Sequence, residues 1–149
     1  MKITPAGWPR ISAAIFYDDA SQAIDWLWRA FGFTVGIKVP DANGGIAHSE
    51  LEFGDGLIMV GQAGKATHTG QITRIPISLD GANTQSLMVY VDDADAHCTR
   101  ARAAGAAIDQ EPSVHDYGAD YWADRSYGAR DLERHSWWFT QRLRDPKSN

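Results

Sequence analysis

Ile15-Phe16-Tyr17-Asp18-Asp19-Ala20 and Val89-Tyr90-Val91-Asp92-Asp93-Ala94 are two versions of one pattern. Each is an apolar run closed by an Asp pair and an alanine, the signature of a buried strand that ends where a helix begins. The offset is 74 positions, because 89 minus 15 and 94 minus 20 agree. Gly32 and Gly105 close the following helical stretches at an offset of 73, so one residue is missing from the second helix. An internal duplication is the simplest account of such a match.

Working outward, residues 11–17 read as a strand, with Ser21 as a helix N-cap. Ile24, Leu27, Trp28 and Phe31 then recur at helical spacing up to Gly32, a C-terminal glycine. Residues 33–39, 46–53 and 57–60 read as strands, joined by a turn at 40–45 and by Gly54-Asp55-Gly56. Residues 61–83 are rich in Gly, Thr and Gln and have little periodicity, which marks a connector. Thereafter the pattern restarts. A strand at 87–91 leads to a helical face of Ala94, Cys98 and Ala101, and strands follow at 106–110, 121–129 and 136–140. A turn surrounds 131–134, and 144–149 is expected to fray.

The chain has 149 residues, enough for one ordinary domain, and its 44% hydrophobic and 22% charged content is that of a globular protein. A net charge of -5 with scattered Lys and Arg offers no basic stripe, so nucleic acid is not the expected partner. No apolar run spans a bilayer and residues 1–10 do not resemble a signal peptide, which predicts a cytoplasmic protein without membrane attachment. Cys98 is the only cysteine, which excludes an internal disulfide and a cysteine zinc site and leaves it as a core filler.

Two βαβββ units of this kind resemble the vicinal-oxygen-chelate superfamily, the glyoxalase, bleomycin-resistance and dioxygenase type. Ala47-His48-Ser49-Glu50-Leu51-Glu52-Phe53-Gly54-Asp55 is similar to the His-Ala-Glu-Leu strand and turn of its PhnB-like branch, and His135-Ser136-Trp137 to its final strand. Leu132 and Arg134 replace the proline and glycine usual in the preceding turn. The resemblance implies an α+β fold in which two repeats form an open eight-stranded half-barrel, with copies paired as a homodimer. Repeat one would occupy about 10–62, the connector about 63–84 and repeat two about 85–143 of a single domain. In the superfamily's enzymes one divalent metal is held by the first and fourth strands of each half. Those positions fall here on Ser12, Met59, Ser86 and Trp138, and none is an imidazole or a carboxylate. The expectation is therefore no metal and no other cofactor.

Counting by twos from these positions lines the groove with Ala14 and Phe16, Leu57 and Met59, Met88 and Tyr90, Trp138 and Thr140, and turns Trp137 and Phe139 toward the helices. Phe16, Met59, Met88, Tyr90 and Trp138 are the expected ligand-binding residues. Aromatic and thioether walls suit a flat apolar or aromatic molecule, an antibiotic or a metabolite, bound without being transformed. The alternative is a lyase or isomerase using His48 and Glu50, two apart on one strand face, with or without a divalent metal. His115, placed on a loop after Pro112, with Arg125 and Tyr127 at the sheet end, are weaker candidates to complete a site. His68, His97 and His135 are expected at surface or turn positions, Trp26 and Trp28 in helix packing or a subunit contact, and the Asp pairs as helix caps.

Overall fold

Both apolar runs form strands, and one aspartate of each Asp pair caps the helix that follows. The computed structural model describes residues 1–66 and 69–147. His68 therefore lies outside the described residues. The chain divides into two compact units, Met1–Leu79 and Asp80–Asn149. In the first, β1 (Ala13–Tyr17), α1 (Ala20–Phe31), β2 (Thr34–Pro40), β3 (Ile46–Phe53) and β4 (Gly56–Gln62) are followed by a short 3-10 helix at Pro76–Leu79. In the second, β5 (Ser86–Tyr90), α2 (Ala94–Ala103), β6 (Ala107–Asp116), β7 (Ala123–Arg130) and β8 (Ser136–Arg144) repeat that order. The strands form two four-stranded sheets, ordered β1-β4-β3-β2 and β5-β8-β7-β6, with the first strand of each parallel to the last and the other pairs antiparallel. The architecture is α+β, and the duplication seen in sequence is a duplication of topology.

The second aspartate of each pair caps its helix. Asp19 accepts from Gln22 N and Asp93 from Ala96 N, both at 2.9 Å, so α1 is capped by Asp19 and not by Ser21. A carboxylate there satisfies an amide that lacks an intrahelical partner. Gly32 ends α1 at φ 83°, in the left-handed region. The buried stripe of α1 is Ala23, Ile24, Trp26, Leu27, Ala30 and Phe31, with Trp26 edge-on to Phe31 at 4.9 Å, whereas Trp28 is 56% exposed. Sequence periodicity assigned the inward indole to Trp28 because Trp26 falls off the i, i+3, i+4 series. On α2 the buried residues are Ala94, Cys98 and Ala101, as expected.

Several boundaries move. β1 starts two residues late, leaving Ile11 87% exposed and Ser12 just before the strand. β6 runs through Pro112 to Asp116, so His115 belongs to a strand and not to a loop. Proline lacks an amide hydrogen, and the register shift between Gln110 and Ser113 absorbs it on what is an edge strand. β8 extends to Arg144, whose guanidinium holds Asp116 at 2.5 Å, so the chain is ordered where fraying was expected to begin. Of that expected tail, Ser148 and Asn149 lie outside the described residues. His97, expected at the surface, is half-buried. Its Nδ1 meets the Tyr127 hydroxyl at 2.6 Å and its ring lies 4.4 Å from that of Phe139, joining α2 to the sheet.

Candidate functional site

In the second unit α2 covers one face of the sheet, where Tyr127, Trp137 and Phe139 are fully buried. Alternation turns their neighbours to the other face. Met88 pairs with Trp138 and Tyr90 with Thr140 across β5 and β8. Gly128, Ser126 and Asp124 of β7 stand opposite Trp138, Thr140 and Arg142, and β6 adds Ser113 and His115 opposite Ser126 and Asp124. A cavity of about 340 Å³ opens on this face. Met88 and Trp138 supply its apolar walls, Ser86, Ser126 and Thr140 its hydroxyls, and Asp124, His115 and Tyr117 its far side. The Trp138 ring reaches over Gly128, where an added Cβ would sit 3.6 Å from Trp138 Cζ2. Met88 is 60% exposed, an unusual position for a thioether unless something covers it.

Behind the cavity-lining Asp124 stands Arg142. Its Nε donates to Asp124 Oδ1 at 2.6 Å, its Nη2 to the Tyr90 hydroxyl at 2.7 Å and its Nη1 to Asp145 at 3.1 Å. The guanidinium also lies 5.5 Å from the Tyr90 ring and 5.9 Å from that of Trp122, whose ring in turn lies tilted at 5.0 Å from that of Tyr117. Most of the other polar groups of the face are engaged with one another. Ser126 donates to Thr140 at 3.0 Å, Ser136 to Ser86 at 3.2 Å, and the Gln110 amide nitrogen lies within 3.3 Å of both Ser113 and His115 Nε2.

Of the residues expected to bind ligand, Met88, Tyr90 and Trp138 come together on this face, although Tyr90 is bonded to Arg142 and does not line the cavity. Phe16 and Met59 belong to the first unit. There Ala14 pairs with Met59 and Phe16 with Gly61, and the Phe16 ring lies so close that a Cβ on Gly61 would fall 3.1 Å from it. On β3 the helix side takes Ser49 and Leu51, and the opposite side takes His48, Glu50 and Glu52. His48 Nε2 and Glu50 Oε1 are 2.9 Å apart. Arg125 and Tyr127 do not reach the cavity, because their parity puts them on the α2 side, where Arg125 pairs with Asp95 at 2.6 Å. Sequence reading missed Asp124, Ser126 and Arg142. The parity that buries Tyr127 and Ala129 was the signal for the first two.

The positions to which the resemblance carries the divalent ion of the superfamily's enzymes hold Ser12 and Met59 in the first unit and Ser86 and Trp138 in the second, side chains that do not suit such an ion. Ser12 Oγ is buried with no hydrogen-bond partner, Met59 offers a thioether, Ser86 a hydroxyl and Trp138 an indole. None supplies an imidazole or a carboxylate. Among the described residues no three His, Cys, Asp or Glu side chains converge to hold a metal.

A duplicated βαβββ unit with an open sheet face defines the class, and the comparisons name it. The model of the Glyoxalase/Bleomycin resistance protein/Dioxygenase superfamily matches residues 11–146, and the chain belongs to that superfamily. TioX from Micromonospora sp. ML1 is 34% identical, with a TM-score of 0.70 over 91% of this chain and 100% of its own. TnmS3, an antibiotic binding protein from Streptomyces sp. CB03234, has the same fold at 16% identity, with a TM-score of 0.62 over 95% of this chain and 98% of its own. An uncharacterized protein of Mycobacterium bovis is 28% identical over 137 residues, 92% of this chain and 86% of the relative.

Proposed function

We propose that this protein binds a small aromatic or apolar molecule, an antibiotic or a metabolite, on the open face of β5-β8-β7-β6, without a metal and without transforming it. The observation that carries this reading is the cavity of about 340 Å³ that Trp138 and Met88 line together with the hydroxyls of Ser86, Ser126 and Thr140. Its size lies near the lower end of small-molecule sites, and its walls combine a stacking surface with a few orienting polar groups. The fold shared with TnmS3, itself an antibiotic binding protein, supports the same direction. Two copies act together in this reading. β2 is an edge strand whose residues all reach solvent, Val35, Ile37 and Val39 among them, and such edges are commonly covered by a partner. A cytoplasmic location belongs to the proposal as well. No helix among the described residues is long and apolar enough to cross a membrane.

The test is a panel of aromatic antibiotics and metabolites titrated against tryptophan fluorescence. At least one is expected to quench saturably, and Trp138→Ala is expected to weaken it about tenfold, as removal of a stacking anchor does. A panel without a binder would refute the proposal.

A second reading rests on the 2.9 Å contact between His48 and Glu50, the pairing a proton-transferring lyase or isomerase would use. Metal analysis of protein purified without chelators, followed by His48→Ala, separates the two. A stoichiometric metal lost in the variant would favour the enzyme.

A further inference from the structure

We infer that the groove of the second unit selects an aromatic ligand carrying a hydrogen-bond donor, a phenolic hydroxyl in the simplest case, and that Asp124 Oδ2 receives it. The inference rests on reading this face as a ligand site. Asp124 lines the cavity, yet its side chain is only 10% exposed. Arg142 Nε occupies Oδ1 at 2.6 Å, and no group among the described residues donates to Oδ2. A carboxylate oxygen so placed is stabilised by any donor that enters and penalises any ligand that covers it without one.

The surrounding side chains show which donor fits. Arg142 pairs with Asp124 at 2.6 Å, and the second carboxylate on its guanidinium, Asp145, is 82% exposed and screened by water, so the charge of Asp124 is met without a further cation. Ser126 is turned away from the carboxylate, donating to Thr140 at 3.0 Å. His115, opposite Asp124 across the β6 and β7 ladder, keeps Nε2 against Gln110 and Ser113. A neutral hydroxyl is therefore the missing partner. Trp138 lies at the other end of the cavity, four residues along the ladder from Asp124 when read from Gly128. That span is about 13 Å along the strand, shortened by the reach of both side chains. A flat molecule of two fused rings with its hydroxyl at one end bridges it.

The probes are 7-hydroxycoumarin and 7-methoxycoumarin, which differ by a methyl group on the donor oxygen. They are titrated by calorimetry at about pH 6, where the hydroxyl keeps its proton. The hydroxyl form is expected to bind about tenfold tighter, the usual size of a hydrogen bond to a charged acceptor. In Asp124→Asn the amide oxygen stays with Arg142 and the amide nitrogen faces the cavity, so the preference is expected to vanish. Equal affinities for the wild type overturn the inference and leave the aromatic groove standing, and binding of neither probe also overturns the inference, whereas the proposed function falls only if the wider panel gives no binder. A preference that survives in folded Asp124→Asn also overturns it. Should that variant not fold, the Asp124 carboxyl carbon resonance replaces it: it is expected to move with the hydroxyl probe and not with the ether, and any other result overturns the inference.

Discussion

Ser49 carries more of the first unit than its size suggests. It is buried, and its Oγ donates to Val60 O at 2.7 Å while accepting from Val60 N at 2.9 Å. One hydroxyl thus satisfies both backbone groups of Val60 on the neighbouring strand. Ser49→Ala is expected to cost about 1–3 kcal/mol, because it strands a buried donor and acceptor together, and urea unfolding reads it as a lower midpoint at unchanged slope. An unaltered midpoint would mean the strands pair through other contacts. At this scale the sequence shows the faces of Met88, Tyr90 and Trp138, since alternation follows once the Asp pair fixes register. It did not show Asp124 or Arg142 as a pair. Each is an ordinary charged residue along the chain, and only the pairing of β7 with β8 places one opposite the other.

Each helix is an element with a local start and stop signal, and those signals are testable. Asp93→Ala removes the cap of α2 and is expected to cost about 1 kcal/mol. The matching change at Asp19 should cost a similar amount in α1, where Ser21, inside the helix, cannot take over the cap. Gly32→Ala forces a side chain into φ 83° and should lower stability by about 1 kcal/mol, read by the same urea midpoint. If Asp19→Ala proves silent while Ser21→Ala does not, the cap has been misassigned. Helix positions were legible because caps and apolar spacing are local. The extent of β6 was not, because Pro112 reads as a breaker until the edge position and the register shift accommodate it. For the same reason His115 reads as a loop residue, although it stands beside Asp124 on the cavity wall.

At the scale of the whole molecule, charge sets the conditions under which the fold persists. Hydrogen bonds from Lys65, Arg125 and Arg144 hold the carboxyls of Asp41, Asp95 and Asp116 below their ordinary value of 3.8. A depressed carboxyl adds stability above its unfolded value and loses it as pH falls through the folded one, so the urea midpoint is expected to drop below about pH 4. Burial pushes the Tyr127 hydroxyl well above its ordinary 10.0. Its contribution is present below that value and is lost as the solution becomes more alkaline. Between these limits the groups named predict a flat profile, and a midpoint that moved steadily from pH 5 to 9 would contradict it.

Topology repeated in two halves was the most legible property of the molecule, because an offset of 74 residues relates strand, cap and helix at once. What the groove does depends on which face a ligand meets. The most direct measurement is a titration of nitrogen-15-labelled protein with 7-hydroxycoumarin in the presence of a chelator, following the indole N–H signals. Trp138 is expected to shift saturably while Trp137, whose indole is tied to Asp131 at 2.9 Å on the covered face, stays in place. A Trp138 signal that does not move while the compound binds, or binding that the chelator abolishes, would contradict a metal-free aromatic site on this sheet.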